Sequence, residues 1–306
     1  MSVAKSAGVS EHPMDDFPVR PLEFDFSKIR FGDPVWSRSS PGFSMFINAL
    51  GVHVPYFERY LVKAMSVAKK QISDPQLLRD VGAIIGQEAH HAKNFLGFNR
   101  WMGQRYPRLP KIDADARDYF AQHAKDDDLK RLIGFTAGYE TFTFLAGIII
   151  LENFDRWMKR GDPVMKAVWI WHQVEEVEHG AVAFDVYRAL FGKHEWYRKW
   201  MVLFAAGHIA KETIKAYAHM TAVEYGWRRP FRALRSMGFC FYMLGRLATS
   251  ALPVFKGSYH PKQHPLVTNR QNSIQVAWRR YEHEGGNVLE IDRHKMAEIM
   301  GVPLAA

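Results

Sequence analysis

Cysteine is almost missing from this chain: Cys240 is the single one in 306 residues. A disulfide framework and any multi-thiolate zinc or iron–sulfur site are thereby excluded, and a reducing, cytoplasmic location is the expectation. Long apolar runs are scarce too. The first 40 residues carry acids and prolines without an apolar stretch, so no secretory signal is expected. Of the most apolar windows, 145–151 is too short to span a bilayer, and 237–255 is interrupted by Arg246 and Pro253. There is no acidic excess: the net charge is +9, with basic residues gathered late at Arg228, Arg229, Arg232, Arg235, Arg279 and Arg280. No nucleic-acid-binding module or Gly-rich RNP pattern accompanies them, so no nucleic-acid partner is expected. Mixed with Trp196, Trp200 and Trp227, that charge suits either a solvated face or peripheral contact with an acidic membrane surface.

What the chain does contain is apolar and helical. Hydrophobic residues make up 47% and aromatic residues 14%, enough for a thick core or a roomy apolar pocket. Residues 1–43, rich in Pro, Asp and Ser, predict an extended arm. From there to about residue 250 the apolar spacing is helical, with few strand-like alternations. A first helix is expected over 44–71, kinking or restarting at Pro55 near its middle. Ser73 and Asp74 offer an N-cap, with Pro75 in the first turn, for a second helix reaching about Tyr106, and the prolines Pro107 and Pro110 predict a loop over 107–115. A third helix is expected from about Asp126–Asp128 to Arg160. Gly161, Asp162 and Pro163 then stop it and start a fourth, ending near Phe191. Further helices are expected at 195–225, 230–251 and 273–283.

The chemistry sits on the four long segments. Glu88 and His91 lie three residues apart on the second helix, and Glu176 and His179 repeat that spacing on the fourth, so each pair projects from one helical turn. The helix before each pair carries one Glu in an apolar setting, Glu58 in the first and Glu140 in the third. Two Glu-only helices and two Glu-x-x-His helices form the ligand set of di-metal carboxylate four-helix bundles. The fold expected is therefore all-α: a ferritin-like four-helix bundle over 44–192, with the arm 1–43 before it and additional C-terminal helices and tail over 193–306. Four carboxylates balance two divalent cations, which removes the cost of burying them. Oxygen and imidazole donors without sulfur suit iron, with manganese or zinc as alternatives. His172, four residues before Glu176, shares its stripe; ligation and a hydrogen-bonded core histidine are both open for it. Glu175 and Glu178 differ in phase from Glu176 and are expected on the outer face. His90, His208, His219, His260 and His264 are expected outside the cluster.

These residues resemble a family. The segments Asn48-Ala-Leu, Val54-Pro-Tyr-Phe-Glu58-Arg, Gln87-Glu-Ala-His-His91, Trp171-His-Gln-Val-Glu-Glu-Val-Glu-His179 and Ala183-Phe-Asp-Val-Tyr187 are similar to the bacterial ferritin-like proteins described as predicted metal-dependent hydrolases, over roughly residues 20 to 285. The stripe His172-x-x-x-Glu176-x-x-His179 also resembles the di-iron arylamine N-oxygenases, which add a third histidine. That resemblance implies seven ligands: Glu58, Glu88, His91, Glu140, His172, Glu176 and His179. Phe57 stands where the hydrolase family commonly has Gly, which implies a narrower pocket beside Glu58.

Three functions compete. A di-iron oxygenase or oxidase would use dioxygen and an electron donor on a mostly apolar small molecule, and is the leading expectation. A metal-dependent hydrolase would use two ions to activate water. Iron handling is the third, disfavoured by the long, basic chain. Residues one turn from the ligands, Ile84, Phe95, Thr136, Thr143, Phe144 and Val168, are expected to line the substrate cavity. The helices after residue 193 suit a lid, a homodimer interface or a membrane-facing surface.

Overall fold

A computed structural model describes residues 12, 14–15, 17–29, 33–267 and 272–291; the beginning of the arm and the end of the tail lie outside them. The described residues are helical, without a strand. Pro41–Gly51 (α1) and Val54–Ala68 (α2) are separated by a short break, with Pro55 in the first turn of α2 as expected. Asp74 accepts a hydrogen bond from the Leu77 backbone N–H and starts Pro75–Gly103 (α3). Next comes a helix where a loop is expected, Leu109–Asp126 (α4). Pro110 falls in its first turn, where a missing N–H costs nothing, so the two prolines bound this helix instead of preventing it.

Leu129–Glu152 (α5) starts on Asp128, whose side chain accepts from the Arg131 N–H, and is buried on nearly every side. A helix apolar all round needs partners all round. It packs on α2 and on the helices Pro163–His179 (α7), Val182–Phe191 (α8) and Glu195–Glu224 (α9). Close approach is possible because of two glycines. A Cβ at Gly138 would stand 2.6 Å from the Met201 carbonyl oxygen of α9, and one at Gly147 would stand 2.9 Å from the Gln173 carbonyl oxygen of α7. The third and fourth predicted helices are each split. Asn153 ends α5 before the short Phe154–Met158 (α6), and Gly180 separates α7 from α8 beneath Phe144. Asp162 caps α7, accepting from the Val164 and Met165 N–H groups, with Pro163 as its first residue.

Helices α2, α3, α7 and α5 pack in a ring, each touching the next. Outside it, α9 lies along α5 and α1, and Pro230–Ser250 (α10) returns along α9 after a turn at Gly226, whose φ is +51°. Ser273–His283 (α11) falls as expected. The arm is pinned by Phe24 N–H to Asn94, by Asp162 N–H to the Trp36 carbonyl, and by Arg20, described below.

Candidate metal centre

Each of the four ring helices turns an acid inward. Glu58 on α2, Glu88 on α3, Glu140 on α5 and Glu176 on α7 are all buried, as are His91, His172 and His179. Their donor atoms form two groups, within each of which all atoms lie within 4.8 Å of one another: Glu58, His91, His172 and Glu176 in one, Glu88, Glu140, Glu176 and His179 in the other.

The pairwise distances show how the groups are joined. Glu176 Oε1 stands 3.1 Å from His172 Nε2, whereas its Oε2 stands 3.3 Å from His179 Nε2. Glu88 is split likewise, Oε2 at 3.4 Å from His91 Nδ1 and Oε1 at 3.2 Å from His179 Nε2. Glu58 belongs to the first group, 3.3 Å from His172, and Glu140 to the second, 3.3 Å from His179. Two carboxylates thus face both groups and two face one each. This is the arrangement a bridged pair of cations needs.

Several donor atoms of the cluster are left without a hydrogen-bond partner. Glu58 Oε2, both oxygens of Glu88, Glu140 Oε2 and His91 Nδ1 are buried and unpartnered among the described residues. A buried carboxylate oxygen without a donor is costly, and a metal ion would satisfy several at once. The donor set, oxygen and imidazole without thiolate, suits iron or manganese.

Electrostatics agree. Burial, then Glu88, pushes the Glu58 carboxyl well above its usual range, and burial raises Glu140 to about 8. Burial also acts upward on Glu88, but His179 and His91 outweigh it and draw it down to about 2. His91 and His179 are held well above the usual imidazole range: burial opposes their charge, and the surrounding carboxylates overcome it. Burial holds His172 neutral, at about 3. Without metal, the raised Glu58, Glu140, His91 and His179 all favour their protonated forms, and divalent cations would compete with those protons. A proton that occupies a ligand must leave before a metal binds, so loading strengthens as pH rises toward about 8, where Glu140 titrates, and releases protons below it. Titration with a divalent metal in weakly buffered indicator dye measures this release; none at all would contradict it.

The imidazoles are braced from behind. His91 Nε2–H donates to Glu175 at 2.8 Å, and His179 Nδ1–H donates to Gln87 Oε1 at 2.8 Å. Each brace reaches the arm. Glu175 accepts from Arg20 at 2.9 Å, and the Gln87 amide donates to the Pro18 carbonyl at 3.0 Å. Arg20 also forks onto both oxygens of Glu178, at 2.8 and 3.0 Å, and Arg279 reaches the same carboxylate at 3.1 Å. His172 Nδ1 lies 2.8 Å from the Gln173 amide nitrogen, while Gln173 Oε1 is unpartnered. A half-turn of that amide would present the oxygen to Nδ1–H once Nε2 holds a metal.

Two expectations are corrected here. Glu175 and Glu178 are not outer-face charges: both are fully buried. Their phase faces the arm, and Arg20 with Arg279 supplies the charge that makes burial tolerable. The cavity beside the cluster also differs. It opens next to His172 and is lined by Leu50, Phe57, Tyr139, Phe142, Trp169 and Leu247 among others. Of the six residues expected there, Thr143 lines it and Ile84, Phe95, Thr136, Phe144 and Val168 do not. The cavity is walled by α1, α2, α5, α7, α9 and α10, so Ile84 and Phe95 on α3 lie outside it, and Thr136, Phe144 and Val168 sit on other sides of α5 and α7. Phe95 instead packs on the His172 ring, 4.7 Å away, and the Thr136 hydroxyl donates to the Leu132 carbonyl. Phe57 does line the cavity and stacks on Tyr139 at 4.1 Å. His90 is half-buried and outside both groups. His208, His219, His260 and His264 are outside as well, bonded to Tyr139, the Arg108 N–H, Asp185 and the Ser250 carbonyl.

Glu175 gives a direct prediction. Glu175→Gln is expected to weaken metal binding by about 10–100-fold while leaving the ligand count unchanged, because a neutral amide oxygen replaces the carboxylate that makes the His91 ring more basic. A competitive chelator titration measures the change; an unaltered affinity would show that the brace does nothing.

Residues 18–265 match the family model described as predicted metal-dependent hydrolase. No curated protein and no solved structure matches the chain.

Proposed function

The chain belongs to the predicted metal-dependent hydrolase family, and from its carboxylate–histidine cluster we propose that it is a ferritin-like, non-heme di-iron oxidoreductase acting on a mostly apolar small molecule. The observation that carries this reading is the double split of Glu88 and Glu176, each with one oxygen toward either group. Glu58, His91 and His172 would complete one metal position, and Glu140 and His179 the other. Iron in both positions would supply the electrons that reduce dioxygen, with an external donor restoring them.

The protein's own contribution is enclosure and orientation. The cavity wall has no Lys, Arg, Asp or Glu, and burial holds both of its histidines, His53 and His172, neutral with pKa values of about 3. Such a wall favours an apolar substrate and keeps water out. Thr143 is the hydroxyl between site and cavity: its Oγ1 lies 3.3 Å from Glu140 Oε1 and is positioned to hold a proton there.

Hydrolysis by a metal-activated water is the second reading, favoured by the family's description. Against it stands the absence of any cationic side chain in the cavity wall to clamp a phosphoester or carboxylate substrate. One experiment separates the two. Anaerobic loading with ferrous iron followed by oxygen is expected to consume dioxygen and give a transient visible absorption band. Hydrolysis of model esters by the zinc form without oxygen uptake by the iron form would decide for the hydrolase.

A further inference from the structure

Helix α10 has two apolar faces, and only one is used inside the protein. Ser236, Cys240, Met243 and Leu247 are buried toward α9, α1 and α5. On the opposite face Phe231, Leu234, Gly238, Phe241, Gly245 and Ala248 follow one another in steps of three and four, Leu252 in the turn after the helix continues the spacing, and all are exposed. Phe231 is 85% exposed and Leu234 72%, and Trp227 in the preceding turn is 99% exposed. A stripe this long and uncharged is unusual on a monomer without a partner. By length and composition 230–255 is apolar enough to cross a bilayer, but its inner stripe ties it lengthwise to the domain.

Charge identifies the occupant. Residues 225–256 carry Arg228, Arg229, Arg232, Arg235, Arg246 and Lys256, with no Asp or Glu. Among the described residues the first four have no ion-pair partner. Arg232, Arg235 and Arg246 fall along one flank of the helix, between its buried and exposed stripes. We propose that the outer face of α10 and the turn before it dock flat on an anionic lipid bilayer. Trp227, Phe231, Leu234, Phe241 and Leu252 enter the headgroup–acyl boundary, and the arginines meet lipid phosphates. A second copy of the chain fits worse, since pairing α10 with itself brings two arginine rows together without an acid between them. Nucleic acid would leave the apolar stripe uncovered. The inner side of the same helix gives Leu247 to the cavity beside His172, so the lipid-facing helix also walls that cavity.

Flotation of the full-length chain with lipid vesicles tests this independently of any catalysis. Binding is expected to vesicles of one part phosphatidylglycerol to two parts phosphatidylcholine and to be weak on phosphatidylcholine alone. It should fall as salt rises from about 0.05 to about 0.5 M. Each arginine at an anionic surface contributes about fivefold, so R228Q/R229Q/R232Q/R235Q is expected to lose about a hundredfold or more. All four side chains are exposed, and an unchanged unfolding midpoint confirms that the variant is folded. K63Q/K69Q/K70Q, at the end of α2, should bind like the wild type. Equal loss in that control, equal binding to neutral vesicles, or no vesicle binding, whether light scattering shows dimers or monomers, would overturn the proposal.

Discussion

Glu176→Ala is expected to empty both metal positions at once, with metal per chain falling from about two ions to near zero. The reason is the split of this one side chain, 3.1 Å from His172 by one oxygen and 3.3 Å from His179 by the other. Removing it takes an anion from each group and leaves each cation facing fewer carboxylates than its charge requires. The loss should exceed the 10–100-fold typical of a residue that merely orients a ligand. The metal-free protein should lose stability as well: burial opposes the Glu176 charge, but His172 and His179 hold its carboxyl below the usual range, so its removal strands those partners and the metal-free variant should unfold earlier than the metal-free wild type. Only the wild type should gain stability on adding metal. Glu152→Ala, an exposed acid at the end of α5, is the control that keeps both ions. Elemental analysis with thermal unfolding in the presence and absence of a chelator reads all four cases.

The largest expected effect on folding lies away from the ligands. Arg20→Ala should destabilise the protein by about 3–5 kcal/mol, the cost of stranding buried charge when one member of a pair is removed. Glu175 and Glu178 are fully buried and accept from Arg20 at 2.9, 2.8 and 3.0 Å, and the guanidinium also sits 5.1 Å above the Trp278 ring. Arg279 still reaches Glu178, so the damage should concentrate on Glu175 and, through it, on the orientation of His91. The midpoint of urea unfolding should therefore fall, and metal affinity with it. Arg20→Met combined with Glu175→Gln should recover part of the stability, because Glu178 keeps Arg279 as its partner and Glu175 no longer carries a charge, but not the metal affinity.

What could be read from the sequence and what could not divide along contact range. Spacing of three and four along a helix fixes which side chains share a turn, so Glu88 with His91 and Glu176 with His179 were legible, and their meeting with Glu58 and Glu140 followed from the ligand logic of the bundle. The capping residues Asp74 and Asp162 and the helices α9, α10 and α11 were legible for the same local reason. The burial of Glu175 and Glu178 was not. It depends on Arg20, 155 and 158 residues away, and on Arg279 in the tail, and no periodicity carries that information. Three acids in four residues, Glu175, Glu176 and Glu178, were nonetheless a signal that a cation had to be found for the helix. The cavity residues were misplaced because one turn along a stripe gives proximity to a ligand, not the side on which the neighbouring helices leave room. Helix α4 was missed because two closely spaced prolines read as a loop when one of them in fact opens a helix.

The most direct measurement is anomalous diffraction at the iron edge from crystals grown with ferrous iron. Two peaks are expected within the ring of α2, α3, α5 and α7. One should lie among Glu58, His91 and His172, the other beside Glu140 and His179, with Glu88 and Glu176 between them. A single peak, or none inside the ring with iron present elsewhere, would contradict the account.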